Sequence, residues 1–407
     1  MNWIDELIKN SEQIETNNKD EQSLIDMLVE IAYSSKIKIE DRGYTLAAFY
    51  DIAVAAAYYS YITSSGWLYC KNNGYAKLIL PFVNCCPIHA LKDDYVFHKS
   101  NKPTSAIIGT ATSRVLLLFY KSIFHKIGKD YSVLKASEPA DAIILDNTKH
   151  NAFFAEIKAS PLLTLALAMD CEVLTDANEK GEMVAFEHCS TKNTSLYGKE
   201  LFVMLPKLSD GGEWYFKYYP LGIKQNKDDF AFSYRGLISL INTNDFLLDY
   251  LIYWRKSFDI YCKKDNSQSI FWFTNACGKP SGLPDSWKGE TTCISDAKTS
   301  VGMDRTDDIK KGIYQVLKLG SEGKYIDSLW NYKVGIISNI HPARHFIEYI
   351  KPIKDLIWTI SSEKDICFAK DLPNDTPLFN LFDGIITFTN SYIRDQWLQN
   401  EIFDFIK

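Results

Sequence analysis

The stretch "EPADAIILDNTKHNAFFAEIK", residues 138–158, decides the fold of this chain. Two apolar runs, 142–145 and 152–155, flank the turn-forming "DNTKHN", the pattern of a β-hairpin. The second run ends on Glu156 and Lys158, with Ser160 and Pro161 just beyond. Burying an acid or an amine is costly unless it is paired, so both need a reason to end an apolar strand. Residues two apart in a strand share a face. A turn about Thr148 and Lys149 sets Asp141 across from Glu156 on that face. Two carboxylates about 5 Å apart, with a lysine beside them, are the expected result.

That grouping suits phosphodiester hydrolysis. Paired carboxylates hold Mg²⁺, a hard cation that takes oxygen ligands and keeps several waters. The metal polarises a phosphoryl oxygen and lowers the pKa of a bound water. A lysine can orient that water or stabilise transition-state charge. The expected catalytic residues are therefore Asp141, Glu156 and Lys158, with Asp141, Glu156 and the Ile157 backbone carbonyl as metal ligands. Glu138 or Asp130 is a candidate further carboxylate. The competing reading is a solvated Glu156–Lys158 strand pair with Asp141 merely opening a strand. E-x-K is common; the opposed acid, the apolar flanks and the helix expected upstream favour the metal site.

The rest of the chain is compatible with an enzyme of two packed units or one elaborated unit. It has 407 residues, 46% of them apolar and 24% charged, which supports a sizeable core. No apolar run is expected to span a membrane, and the polar, acidic N-terminus has neither signal-peptide nor transit-peptide character. Nine cysteines without regular spacing read as reduced thiols, which points to a cytoplasmic protein. A net charge of −6 argues weakly against nucleic acid, yet a basic groove can sit on an acidic body, and metal-binding carboxylates also lower the charge.

Pattern and propensity predict a mixed α/β (α+β) fold, a sheet flanked by helices. The expected segments are a mostly helical region over 1–110, a core over 111–345 with an insertion at about 209–290, and a closing α/β region over 346–407. Helices are predicted over 21–34, 45–64, 112–127 and 235–262, and over "RTDDIKKGIYQVLKL" and "PARHFIEYI". "SPLLTLALAM" reads as a short apolar helix, "SIFWFTNA", "KVGIISNI" and "LIWTI" as strands, and the last residues as one closing amphipathic helix.

"D-x14-E-x-K", within "ADAIIL…FFAEIK", resembles the signature of the PD-(D/E)xK nucleases, with Ala140 in place of the nominal proline. "NCCPIHAL", "FHKSNKP", "AEIKASPLL" and "KTSVGMDRTDDIKKGIYQVLKLG" are similar, more narrowly, to type II restriction endonucleases of the HindVP-like group. The resemblance touches blocks between about 80 and 345. It implies a restriction-endonuclease-like core and Mg²⁺-dependent cleavage of double-stranded DNA. It also implies a homodimer on a palindromic site and a cognate DNA methyltransferase as functional partner, in a bacterial or archaeal cytoplasm. Asp141, Glu156 and Lys158 inherit the catalytic roles by motif.

Other groups compete or assist. Asp285, Asp296 and Lys298 in "LPDSWKGETTCISDAKTS" form a rival triplet, though their surroundings are polar. Alternatively Lys298, Arg305, Lys310 and Lys311 contact DNA, against the plainer reading of a solvated helix face. His98, Lys99 and Lys102, beside Asn101 and Ser105, make a basic loop suited to phosphates or an ordinary connector. Cys70, Cys85, Cys86 and His89 raise zinc, but the usual second close ligand pair is missing and buried thiols are the simpler account. His341, Arg344 and His345 follow a strand, where they could meet phosphate or cap a helix. The chain has neither G-x-S-x-G nor a Walker-type phosphate loop. Structure-selective nuclease action on the same core, or a non-catalytic DNA-binding module, are the alternatives to restriction.

Overall fold

A computed structural model describes residues 2–64, 66–72, 75–82, 86–92, 105–170, 184–185, 195–243, 245–275, 302–359 and 369–404. The fold is mixed α/β, in two compact units. One gathers residues 1–15, 120–159 and 302–407; the other, residues 16–119 and 160–301. The expected segments 1–110, 111–345 and 346–407 cut across both units, and the stretch that interrupts the first unit is 160–301 rather than about 209–290.

The first unit is built on the hairpin of the opening stretch. Strands β1 (Ala142–Asp146) and β2 (Asn151–Ile157) pair from Ala142 opposite Ala155 to Asp146 opposite Asn151, the register expected from the turn. The turn is set locally, because the Asp146 carboxylate accepts hydrogen bonds from the N–H groups of Thr148 (3.0 Å) and Lys149 (3.1 Å). Strand β3 (Asn331–Ser338) runs parallel to β2, and β4 (Gly384–Thr387) runs parallel to β3. Tyr131–Lys135 and Glu12–Gln13 extend the sheet antiparallel beyond β1, and Tyr392–Ile393 closes it beyond β4, seven strands in all.

Helices α1 (Trp3–Asn10) and α2 (Thr306–Gly323) cover one sheet face. Ile4, Leu7, Ile309, Val316 and Leu319 pack there with Leu145, Phe154, Val334 and Ile336. Tyr120 and Phe124, late in the helix Ser105–Lys126, pack on the other face against Phe388 and Tyr131. Burying both faces requires strands that are apolar throughout, and β1 and β2 are buried at every position.

The second unit has a six-stranded antiparallel sheet and a layer of helices. Its central helix, Ile39–Ser60, is buried at every residue from Thr45 on, as expected of a helix apolar on all sides.

Several expectations are corrected. "SPLLTLALAM" is not a helix: Leu167–Asp170 is a strand held between 75–80 and 200–208. A strand buried between two neighbours has the same continuous apolar composition as a buried helix. "SIFWFTNA" forms a 3-10 turn, Ser269–Phe273, rather than a strand. "PARHFIEYI" gives one wide π turn at Phe346–Ile350, and the described part of "LIWTI" pairs as a strand at Ile357–Trp358. The closing segment is not one helix but β4, a short antiparallel partner and a turn of π-helix at Leu398–Phe403. One helix among the described residues, over Ile107–Lys126, is long and apolar enough to cross a membrane, against the expectation of none. Its residues from Val115 to Tyr120 are all buried, and a core helix passes the same composition test.

Candidate active site

Asp141, Glu156 and Lys158 meet where β1 begins and β2 ends. Asp141 stands one residue before Ala142, which pairs with Ala155, so it lies level with Glu156. The chain holds it there from both sides. Its N–H donates to the Ala155 carbonyl (3.1 Å), and its carboxylate accepts from the Ile157 N–H (2.8 Å). The Asp141 side chain thus closes the ladder that its backbone leaves at the strand end. A strand residue turns its N–H and C=O to the same side, so the Ile157 carbonyl faces the Asp141 edge.

Lys158 is fixed by its own backbone, which donates to the Ile337 carbonyl of β3 (3.0 Å), and its ammonium bonds to Glu156. Asp141 is exposed, whereas Glu156 is only 6% exposed. Burial pushes the Glu156 carboxyl up to about 7. The adjacent Asp141 carboxylate adds to the rise, and Lys158 partly offsets it. Near neutrality the pair therefore carries a proton that either acid alone in water would have lost.

This donor set fits Mg²⁺. Two carboxyl groups are close enough to hydrogen-bond and repel one another when both are ionised, and a backbone carbonyl is turned toward the same edge. A divalent cation with a preference for oxygen would replace the shared proton. Among the described residues no three His, Cys, Asp or Glu side chains gather to hold a metal, so the acids are a pair without a third. Asp130 precedes Tyr131, which pairs with Asp146 at the turn end of the hairpin, away from Asp141. Glu138 lines a cavity of about 560 Å³ with Trp3, Lys318, Glu322 and Tyr325. Neither joins the pair, in contrast to the expected further carboxylate.

Helix α2 runs back along β3. Gly323 lies on Tyr332, Gly320 near Val334, and Gly312 against Ile336 and the stem of Lys158. The N-terminal turns of α2 therefore reach the end of the sheet that carries Glu156. Arg305, which pairs with Asp308 at 3.8 Å, Lys310, whose ammonium lies 5.4 Å from the Tyr349 ring centre, and the exposed Lys311 belong to these turns. The sequence did not single out Gly312 or Ser338; the glycine spacing 312, 320 and 323, one face of a helix, was the available signal.

The remaining candidates do not join the acid pair. Asp285, Asp296 and Lys298 lie outside the described residues, as do His98, Lys99, Asn101, Lys102 and Cys85. The Cys70 side chain is likewise not described. Cys86 is a buried thiol packed with Ile79, Ile88, Ala166, Ala168 and Met204, and His89 follows it in the short helix Pro87–Ala90. The His341 ring meets the Thr389 hydroxyl at 2.8 Å, and burial lowers its pKa to about 4. The N–H groups of Arg344 and His345 donate to the buried Asp304 carboxylate, and the His345 ring faces Glu348 at 3.3 Å. The Asp304 contacts tie the turn just before α2 to the segment after β3.

Comparison with models of known protein families, with curated proteins and with solved structures finds no match to the chain.

Proposed function

We propose that the chain is a Mg²⁺-dependent endonuclease of the restriction type, acting on double-stranded DNA. The observation that carries this reading is the opposed acid pair with Lys158 bonded to one of its members. A mixed sheet flanked by helices is also the kind of core that the sequence resemblance implies. Asp141, Glu156 and the Ile157 carbonyl would hold the cation. When bound, Mg²⁺ supplies charge stabilisation at the phosphoryl group and acidifies a water.

The chain's own groups do the rest. Asp141, pinned by the Ile157 N–H, turns its carboxylate toward Glu156 at the strand end. With the cation bound, Glu156 would release its proton to solvent, and Lys158 would orient the attacking oxygen and offset charge on the phosphate. Arg305, Lys310 and Lys311, on the turns of α2 that reach this end of the sheet, are suited to the DNA backbone. A homodimer on a palindromic site, a cognate methyltransferase and a cytoplasmic location belong to the same proposal. Zinc has no role in it.

The test is incubation of plasmid DNA with Mg²⁺ and either wild type or Glu156→Ala. Discrete double-strand fragments from wild type alone are expected. Nicking or smearing supports a structure-selective nuclease on the same core. Unchanged plasmid with both proteins, despite DNA binding, leaves a non-catalytic module and defeats the proposal.

A further inference from the structure

We propose that Gly312 is a positioning residue for Lys158, its bare backbone forming the seat of the lysine stem beside Glu156, with the buried Ser338 hydroxyl as the acceptor the ammonium reaches when it leaves that carboxylate. The catalytic consequence rests on the nuclease reading; the seat rests on geometry alone.

A Cβ at Gly312 would lie 3.5 Å from Lys158 Cγ, 3.8 Å from Lys158 Cε and 3.4 Å from Ile336 Cδ1. One methyl group thus fills the available space in ordinary contact. Anything longer must displace the lysine stem or the strand residue next to it. The lysine stem therefore lies along the helix backbone at Gly312, with its ammonium bonded to Glu156. An unconstrained lysine samples many rotamers, and fixing one costs up to about 2 kcal/mol of side-chain entropy. The packed helix imposes that order before substrate arrives.

Ser338 gives the second, independent observation. Ile337 pairs with Ile157 and accepts from the Lys158 N–H, so Ser338 is beside Lys158 one step further along β3. It shares the face of Ile336, two residues earlier, which is the face covered by α2 at Gly312. Ser338 is fully buried, and its Oγ has no hydrogen-bond partner. Buried hydroxyls are ordinarily satisfied, and an ammonium has three protons to donate. An unmatched acceptor on the neighbouring strand, roughly 4.8 Å away in backbone spacing, is what a lysine leaving Glu156 needs in order not to swing into solvent.

The experiment follows the Lys158 ε-methylene resonance in full-length protein labelled with ¹³C-lysine, assigned by its loss in K158R, together with Mg²⁺-dependent plasmid cleavage. Gly312→Val is compared with Gly312→Ala, which fits the space. The matched control is Gly320→Val, on the same helix face against Val334 and the Leu381 carbonyl but away from the lysine. In wild type and Gly312→Ala the two ε-protons are expected to be distinct. In Gly312→Val they collapse toward a freely rotating lysine, and kcat falls about 100-fold with KM within about threefold, the scale of a misplaced reacting group. Gly320→Val, where folded, keeps the wild-type resonance. A wild-type resonance in Gly312→Val, or the same collapse in Gly320→Val, overturns the seat. Should Gly312→Val not fold, Gly312→Ser, one atom beyond the methyl that fits, decides: collapse supports the seat and a wild-type resonance overturns it. A wild type that cuts no DNA defeats the nuclease reading, while the lysine resonance still decides the seat.

Discussion

Glu156 shows how one side chain can record both burial and neighbourhood. Its carboxyl rises from 4.5 to about 7 in the fold, so between those values the folded protein binds a proton that the unfolded chain has lost. Stability linked to this group is therefore fully present below about pH 4.5 and is lost as pH rises through 7. A shift of this size corresponds to about 3 kcal/mol. Thermal melts of wild type without divalent ions are expected to decline across that window, and Glu156→Gln, which cannot ionise, is expected to flatten the decline. Mg²⁺ at pH 8 should restore wild type and leave Glu156→Gln unmoved. A Mg²⁺ effect of equal size on both proteins would place the cation elsewhere.

At the scale of elements, the sheet depends on how closely its parallel strands approach. A Cβ at Gly335 would sit 2.0 Å from the Gly384 carbonyl oxygen and 2.9 Å from the Phe153 ring, so β3 admits no side chain there. Gly335→Ala is expected to loosen β4 and to cost on the order of 3 kcal/mol, the upper range for overpacking; a urea titration measures it. A buried ion pair guards the same junction. The Asp383 carboxylate takes Lys324 at 2.9 Å and the Val334 N–H at 2.8 Å. Removing one partner leaves the other uncompensated, so Asp383→Ala should cost about 3–5 kcal/mol.

The same junction marks what could be read in the sequence. Asp146 and the apolar runs on either side of it encode the β1–β2 turn locally, and with it the meeting of Asp141 and Glu156. Helix α2 was legible from its apolar stripe. The insertion of β3 between β2 and β4 was not, because parallel pairing is long-range and "GIIT" alone carries no address. The tail was misread for the same reason: four residues gain their strand character from a neighbour some fifty positions earlier. Gly312 was silent because its role depends on what packs against it.

The molecule as a whole holds two cores, and each carries a buried acid. In the second unit Asp51 accepts from the Leu163 N–H (2.9 Å) and the Trp254 indole (2.8 Å), and burial pushes it up to about 8. Its stabilising proton is lost as pH climbs through 8. Calorimetry is expected to resolve two transitions. Mg²⁺ should raise only the one that Glu156→Gln alters. Moving from pH 7 to 9 should lower the other, and Asp51→Asn should suppress that drop. A single transition that responds to every change would mean that the units unfold together.

The interrupted order of the first unit also has a consequence in time. Asp141, Glu156 and Lys158 leave the ribosome together, yet Gly312 and Ser338 follow only after the whole of 160–301 has been made, and β4 later still. Domains fold largely as they emerge, at about 5–20 residues per second. For on the order of ten seconds or more, the nascent chain therefore carries its acidic pair without the helix and strand that complete it. A chain able to cut DNA would lack the seat of its lysine until the residues from 306 to 338 had been made.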